Sequence, residues 1–285
     1  MMAILKEWRI TNKSPWRVAV DSDGWDGEYI AVRKRKPTSE YHECHSFAGS
    51  GVRTIPDTAL REPMILMTGL STNVYRFTDR FPGRLGWMLS PGDWRNVRDG
   101  LCYAVDNGAF GAYSNQCEFD GAAWLGHVGK ALKSPVVPRF VVVPDVVTNA
   151  PETLALWGIF SPALKQLTDC SLALAVQDQM SVADVLSLEI QPDVVFVGGT
   201  HQFKVATLVD WCRSFRRVHV GGINSLKMLW ECDLNGVESI DGSGWFRVDP
   251  KQVERLVSYL DASLHGKRPA TLFDKHAINE GKNGK

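Results

Sequence analysis

The stretch 237–246, VESIDGSGWF, ends a run of strand-forming residues at a carboxylate, Asp241, and follows it with Gly242, Ser243 and Gly244. Two glycines beside an acid remove side chains where another molecule must come close. A carboxylate in that setting suits nucleophilic attack or proton transfer. The same residues also suit a plain tight turn, which Asp-Gly commonly opens. Chemistry is favoured because other apolar runs end in the same manner. One ends in Asp106-Asn107-Gly108-Ala109-Phe110, others in Pro144-Asp145 and Gln177-Asp178, and two more in Gly198-Gly199-Thr200 and Gly221-Gly222. Carboxylates, a Gln amide and bare backbone match the donors and acceptors of a purine edge, and Phe110 offers a face for a flat ring. Each residue has a structural alternative: Asp145 as a helix cap, Gln177 as a solvated side chain, Phe110 as core, and the Gly pairs as room in tight turns.

These residues need elements that deliver them to one place. Eight apolar runs, 64–69, 85–89, 102–106, 139–144, 171–177, 193–198, 218–222 and 237–241, read as strands, and FVVV and VVFV within them fit strands covered on both faces of a parallel sheet. Helices are expected between them: from Pro151-Glu152 to about Leu167, from Ser181 with Asp184, over 203–215 and 225–234, and from Asp249-Pro250 with Gln252 as capping partner. The connections 72–84 and 90–100 read as loops. The alternation predicts an α/β fold, a (βα)8 TIM-type barrel over 64–266, whose active site gathers at the carboxyl ends of the strands. A doubly wound open sheet is the structural alternative. Residues 1–63 alternate polar and apolar and read as a small β-rich segment, with 267–285 as a flexible C-terminal tail.

Composition narrows the partners. In 285 residues, Lys plus Arg equals Asp plus Glu at 32 each, so a nucleic acid has to be held by a local patch. The six cysteines show no CxxC spacing, and no leader or long apolar span stands out, which predicts reduced thiols in a cytoplasm and no membrane partner. His42, Cys44 and His45 crowd together, yet no second ligand pair follows at zinc-site spacing, so neither a metal nor another cofactor is expected.

As a set, the strand ends resemble the guanine transglycosylase family. DNGAF at 106–110 is similar to that family's D-S-G-G-F motif, and VVPD ending at Asp145, AVQD around Gln177, VFVGG ending at Gly199 and SIDGSG around Asp241 fall in the family's order. The resemblance covers roughly 64–262. It implies base exchange with Asp241 as nucleophile and Asp106 as the second carboxylate, handling protons. Asp145, Gln177, Gly198 and Gly199 would form the base-reading set, with Phe110 against the ring. Members acting on tRNA carry three Cys and one His for zinc after the nucleophile, whereas no cysteine follows Cys232 here. That absence, with the short chain, makes it more similar to the compact phage-type branch that inserts 7-deazaguanine bases into DNA. The implied partners are guanine-containing DNA and a free 7-deazaguanine base, with tRNA as the alternative substrate. Arg76, Arg80, Arg84, Arg95 and Arg98, with Trp87 and Trp94, lie in or beside the first two βα connections as candidates to hold phosphates around a flipped-out nucleotide. Two other readings remain open: a barrel enzyme that cradles a phosphorylated metabolite on its Gly-Gly pairs, and a non-catalytic nucleic-acid-binding homologue.

Overall fold

The computed structural model describes residues 62–97, 101–246 and 250–264. Eight parallel strands close into a barrel in sequence order: β1 Ile65–Thr68, β2 Leu85–Leu89, β3 Cys102–Val105, β4 Val141–Val142, β5 Leu172–Val176, β6 Val194–Val197, β7 Val218–Val220 and β8 Ser239–Asp241. Closure is made by β8 against β1, with Ile65 opposite Ser239 and Met67 opposite Asp241. The open-sheet alternative is thereby excluded. Every expected run carries a strand, trimmed at its ends because the last residues turn outward into the loops.

Side chains alternate along each strand between two apolar layers. Ile65, Met67, Met88, Ala104, Phe140, Val142, Ala173, Ala175 and Val194 fill the interior of the barrel. Their neighbours, among them Leu66, Leu85, Trp87, Tyr103, Val105, Leu174, Val195, Val220 and Ile240, pack outward against the helices. Burial on both faces explains why these strands read as continuous apolar runs.

The helices of the described residues are α1 Tyr75–Thr78, α2 Ala109–Ser114, α3 Gly121–Lys133, α4 Ala150–Leu167, α5 Val182–Leu186, α6 His201–Ser214, α7 Leu226–Leu234 and α8 Pro250–Leu264. Their starts follow local chemistry. Asn149 accepts from Glu152 N–H at α4, Ser181 and Asp184 form a reciprocal capping box at α5, and Thr200 and Ser225 cap α6 and α7. Sequence reading missed α2 and α3, although Asp120 caps α3 by accepting from Ala123 N–H. It expected a loop over 72–84, where a single 3-10 turn, Thr72–Val74, runs into α1. After β2, residues 90–97 contain no helix. The expected β-rich segment 1–63 lies almost wholly outside the described residues, as do His42, Cys44, His45 and the tail. Among the described residues no helix is long and apolar enough to cross a membrane.

The amino ends of the strands are closed by ions. Glu238, just before β8, accepts from Arg139 at 2.8 and 3.1 Å and from Arg217 at 2.6 and 2.9 Å, while Arg217 also donates to Ser171 Oγ and to the Arg139 carbonyl. Burial alone would raise the Glu238 pKa, but the hydrogen bonds and charge of Arg217, then those of Arg139, outweigh it and hold the carboxyl below its ordinary value. One acid thus ties together the entries to β4, β5, β7 and β8, opposite the end where the candidate residues gather.

Candidate active site

Asp241 is the last residue of β8, and its side chain faces the barrel interior because Ile240, its neighbour, faces out. Both carboxyl oxygens accept hydrogen bonds: Oδ1 from Gly222 N–H at 3.0 Å and Oδ2 from His219 Nε2 at 3.1 Å. His219, in the middle of β7, is wholly buried, and its ring packs against Phe140 and Phe196 with centroids 5.1 and 4.6 Å away. Its Nδ1 lies 2.8 Å from Ser239 Oγ. Since the carboxylate can only accept, Nε2 carries hydrogen, and in the neutral ring Nδ1 accepts from the Ser239 hydroxyl. Ser239, His219 and Asp241 therefore form one chain of hydrogen bonds inside the barrel.

The Gly221-Gly222 pair has a structural task in this clamp. A Cβ on Gly221 would stand 2.7 Å from the Phe196 ring and 3.3 Å from Asp241 Oδ2, and Gly222 is in the left-handed region at φ +69°. Bare backbone here lets the chain pass over Phe196 and aim the Gly222 N–H at the acid.

Asp106 follows β3 and is positioned differently. Its Oδ2 accepts from Ser90 Oγ at 2.8 Å and from Gly108 N–H at 3.3 Å. Burial is the main cause that raises its pKa; the Ser90 hydrogen bond opposes, and the Asp241 charge adds to the rise. With Oδ2 already accepting twice, Oδ1 is the oxygen suited to carry a proton. Asp145, after β4, is pushed up to about 6, first by burial and then by the Asp106 charge, against a hydrogen bond from Asn107. Asn107 itself is buried: its amide donates to Asp145 Oδ1 at 2.7 Å and to the Val143 carbonyl at 2.9 Å, and its oxygen accepts from Ala109 N–H. Asp241, Asp106 and Asp145 thus feel one another in series across the mouth of the barrel.

Other expected site residues are engaged elsewhere. Gln177 is buried, with its amide nitrogen donating to the Val146 carbonyl at 2.8 Å and to Thr153 Oγ1 at 2.9 Å, and its oxygen accepting from Thr148 N–H. Both donors are committed to the loop after β4 and the first turn of α4, so Gln177 ties those segments together and has no N–H left for a ligand. Gly198 N–H continues the sheet by donating to the Val176 carbonyl. Gly199 takes a left-handed turn at φ +71°, and a Cβ there would meet the Asp178 carboxylate at 2.6 Å. Asp178 in turn accepts from Thr200 N–H and Oγ1 at the start of α6. Phe110 stands 71% exposed on α2, not in the core.

The arginine group separates. Arg84 is buried below the barrel, donating to the Met64 carbonyl and lying over the Tyr259 ring, and Arg80 pairs with Asp261 near the end of α8. Both sit towards the amino ends of the strands, so the expectation that they hold phosphates at the mouth is corrected: one βα unit runs up and back down, and these residues lie on its return. Trp87 donates to the Ser71 carbonyl on the outer face of β2, and Trp94 packs on Tyr103 and His127. Both indoles are packing groups. Arg76 and Arg95 are exposed, and Arg98 lies outside the described residues.

Sequence reading missed His219, Ser239, Ser90, Asn107 and Lys204. A signal existed for two of them: Ser239 lies two residues before Asp241 and shares its strand face, and His219 is a polar residue between two outward valines in VHV. Lys204, on the first turn of α6, had none. Among the described residues no group of three or more His, Cys, Asp or Glu is arranged to hold a metal. No protein-family model matches the chain, and no curated protein matches it significantly.

Proposed function

We propose that this protein is a base-exchange transglycosylase that replaces guanine in DNA with a 7-deazaguanine base through a covalent aspartyl-sugar intermediate. The observation that carries the reading is the division of labour between two carboxylates at one mouth: Asp241 accepts a hydrogen bond on each oxygen, whereas Asp106 is pushed towards its neutral form. A carboxylate held by a donor on each oxygen, beside an acid that burial pushes towards its protonated form, is suited to pair a nucleophile with a proton donor. The motif resemblance assigns the same two roles.

With the target nucleotide flipped out of the duplex, at a cost of a few kcal/mol, an Asp241 oxygen attacks C1′. The bonding pair of the C1′–N9 bond leaves with guanine, which takes the Asp106 proton. The incoming base then gives its N9 proton to the Asp106 carboxylate, and N9 attacks C1′ and releases Asp241. Two inversions restore the original configuration, as in retaining glycosidases. Asp145, ionised above about pH 6, accepts from the N–H groups on the Watson–Crick edge of guanine, and Phe110 covers the ring from the rim.

A phosphorylated-metabolite enzyme fits less well. The start of α6, where a phosphate would sit, is occupied by the Asp178 carboxylate, and the Gly222 N–H faces Asp241. Either acid would repel a phosphate in those two cradles.

The test is trapping. Incubated with guanine-containing DNA and no incoming base, the protein should yield a denaturation-resistant adduct, tRNA serving as the comparison substrate. Asp241→Asn should abolish the adduct and lower exchange by orders of magnitude while keeping binding. An undiminished adduct in Asp241→Asn would remove Asp241 from the mechanism, and an adduct on tRNA alone would move the substrate to RNA.

A further inference from the structure

The mouth of the barrel holds a cation that the exchange chemistry leaves unused. Lys204 rises from the first turn of α6, and its Nζ lies 3.3 Å from the position a Cβ on Gly222 would take. That puts the ammonium over the residue whose N–H holds Asp241 Oδ1. No hydrogen bond or ion pair joins Nζ to another described residue. Burial lowers the Lys204 pKa, with the charges of Asp241, Cys232 and Asp178 opposing that shift. A half-buried ammonium without a close partner retains three donors for something that arrives later.

We infer that Lys204 binds a backbone phosphate flanking the target guanine, anchoring the flipped nucleotide on the side of α6 and β7. This deepens the base-exchange reading and rests on it. When C1′ of a nucleotide is against Asp241, its two phosphates lie about one sugar's breadth away, within the sweep of a flexible lysine stem whose ammonium ends over Gly222. The electrostatics require such a group. Asp241, Asp145 and Asp178 line one mouth, and a polyanion entering it meets repulsion that a cation on the approach offsets. Two neighbouring cradles are closed to phosphate, because Asp178 occupies the start of α6 and Asp241 takes the Gly222 N–H. Lys204 is placed to take the phosphate that they refuse. Lysine suits the task as a point charge on a flexible stem, able to follow the backbone into the pocket.

The experiment pairs Lys204→Met and Lys204→Arg with oligonucleotides bearing a neutral methylphosphonate on the 5′ or the 3′ side of a single target guanine. Exchange of labelled guanine is followed across a salt series. Wild type should lose about tenfold in kcat/KM on one of the two methylphosphonates, and Lys204→Met should lose a similar factor on the natural oligonucleotide with no further loss on that methylphosphonate. The salt slope should shallow by about 1 in Lys204→Met, as for one lost phosphate contact, and Lys204→Arg should restore it. Equal methylphosphonate penalties in wild type and Lys204→Met, or a kcat loss with an unchanged salt slope, would overturn the phosphate contact and make Lys204 a counter-ion to Asp241. Wild type that exchanges no guanine at all would sink the base-exchange reading itself, and this inference with it.

Discussion

Replacing His219 with Phe tests whether the nucleophile is held by the buried hydrogen-bond chain. The substitution keeps an aromatic ring between Phe140 and Phe196 but removes both ring nitrogens. The Ser239 hydroxyl, in a residue with no exposed surface, loses its partner, which costs about 1–3 kcal/mol. Asp241 also loses the hydrogen bond that its Oδ2 accepts from His219 Nε2, but 22% of its side chain is exposed, so water replaces part of it and about 1 kcal/mol is expected from that half. The total is about 2–4 kcal/mol, read as a shift in urea unfolding. Ser239→Ala in the His219→Phe background removes the orphaned hydroxyl and should return about 1–2 kcal/mol. In catalysis, an Asp241 held by the Gly222 N–H alone should lower kcat about 10²-fold, the scale expected for a misplaced reacting group. Additive single-variant energies within about 0.5 kcal/mol, together with an unchanged kcat, would refute the chain as the device that orients Asp241.

Glu238→Gln should cost about 2–3 kcal/mol, less than the roughly 3–5 kcal/mol of a fully buried pair, because its arginine partners are 26–30% exposed. The folded-state pKa of Glu238 is depressed, so its contribution is present above the ordinary value of 4.5 and lost as pH falls through the folded value; melting curves of wild type and variant should converge in acid, and a constant gap would contradict this. Asp145 has the opposite sign: its folded pKa of about 6 lies above the ordinary 3.8, so its ionisation lowers stability as pH rises from about 4 to about 6, while base binding gains its acceptor over the same window. Asn107→Leu removes the hydrogen bond that favours the ionised form and should move the acid limb of guanine binding above pH 6, whereas a limb that stays in place would detach it from Asp145. Gly221→Ala forces a methyl against Phe196 and towards Asp241 Oδ2, and should cost about 1–3 kcal/mol in unfolding as well as activity; a variant as stable and active as wild type would show that Phe196 can yield.

What the sequence determined by itself was the barrel and the residues at its rim. Runs such as FVVV and VVFV are apolar on both faces because each strand is covered by interior side chains on one side and helices on the other, and that double burial leaves its mark in composition. Acids and glycines stood out where such runs stop, so Asp106, Asp145 and Asp241 could be named from order alone. Helix α2 escaped because it is only six residues long and starts at Gly108, which offers no capping side chain, whereas α3 carried both an Asp120 cap and an apolar stripe that the reading passed over. Direction along a βα unit was also invisible, since nothing in the sequence marks Arg80 and Arg84 as lying on the chain's return to β2, at the end opposite the mouth. Only the tertiary structure decided which polar groups were already satisfied. Gln177 reads as a free amide until the loop after β4 folds onto it, and His219 reads as a single polar residue in a strand until neighbouring Ser239 and Asp241 supply its partners. Hydrogen-bond satisfaction is a property of pairs brought together across 20 residues of chain, as between His219 and Ser239, or 31, as between Gln177 and Val146, and local sequence carries no record of it.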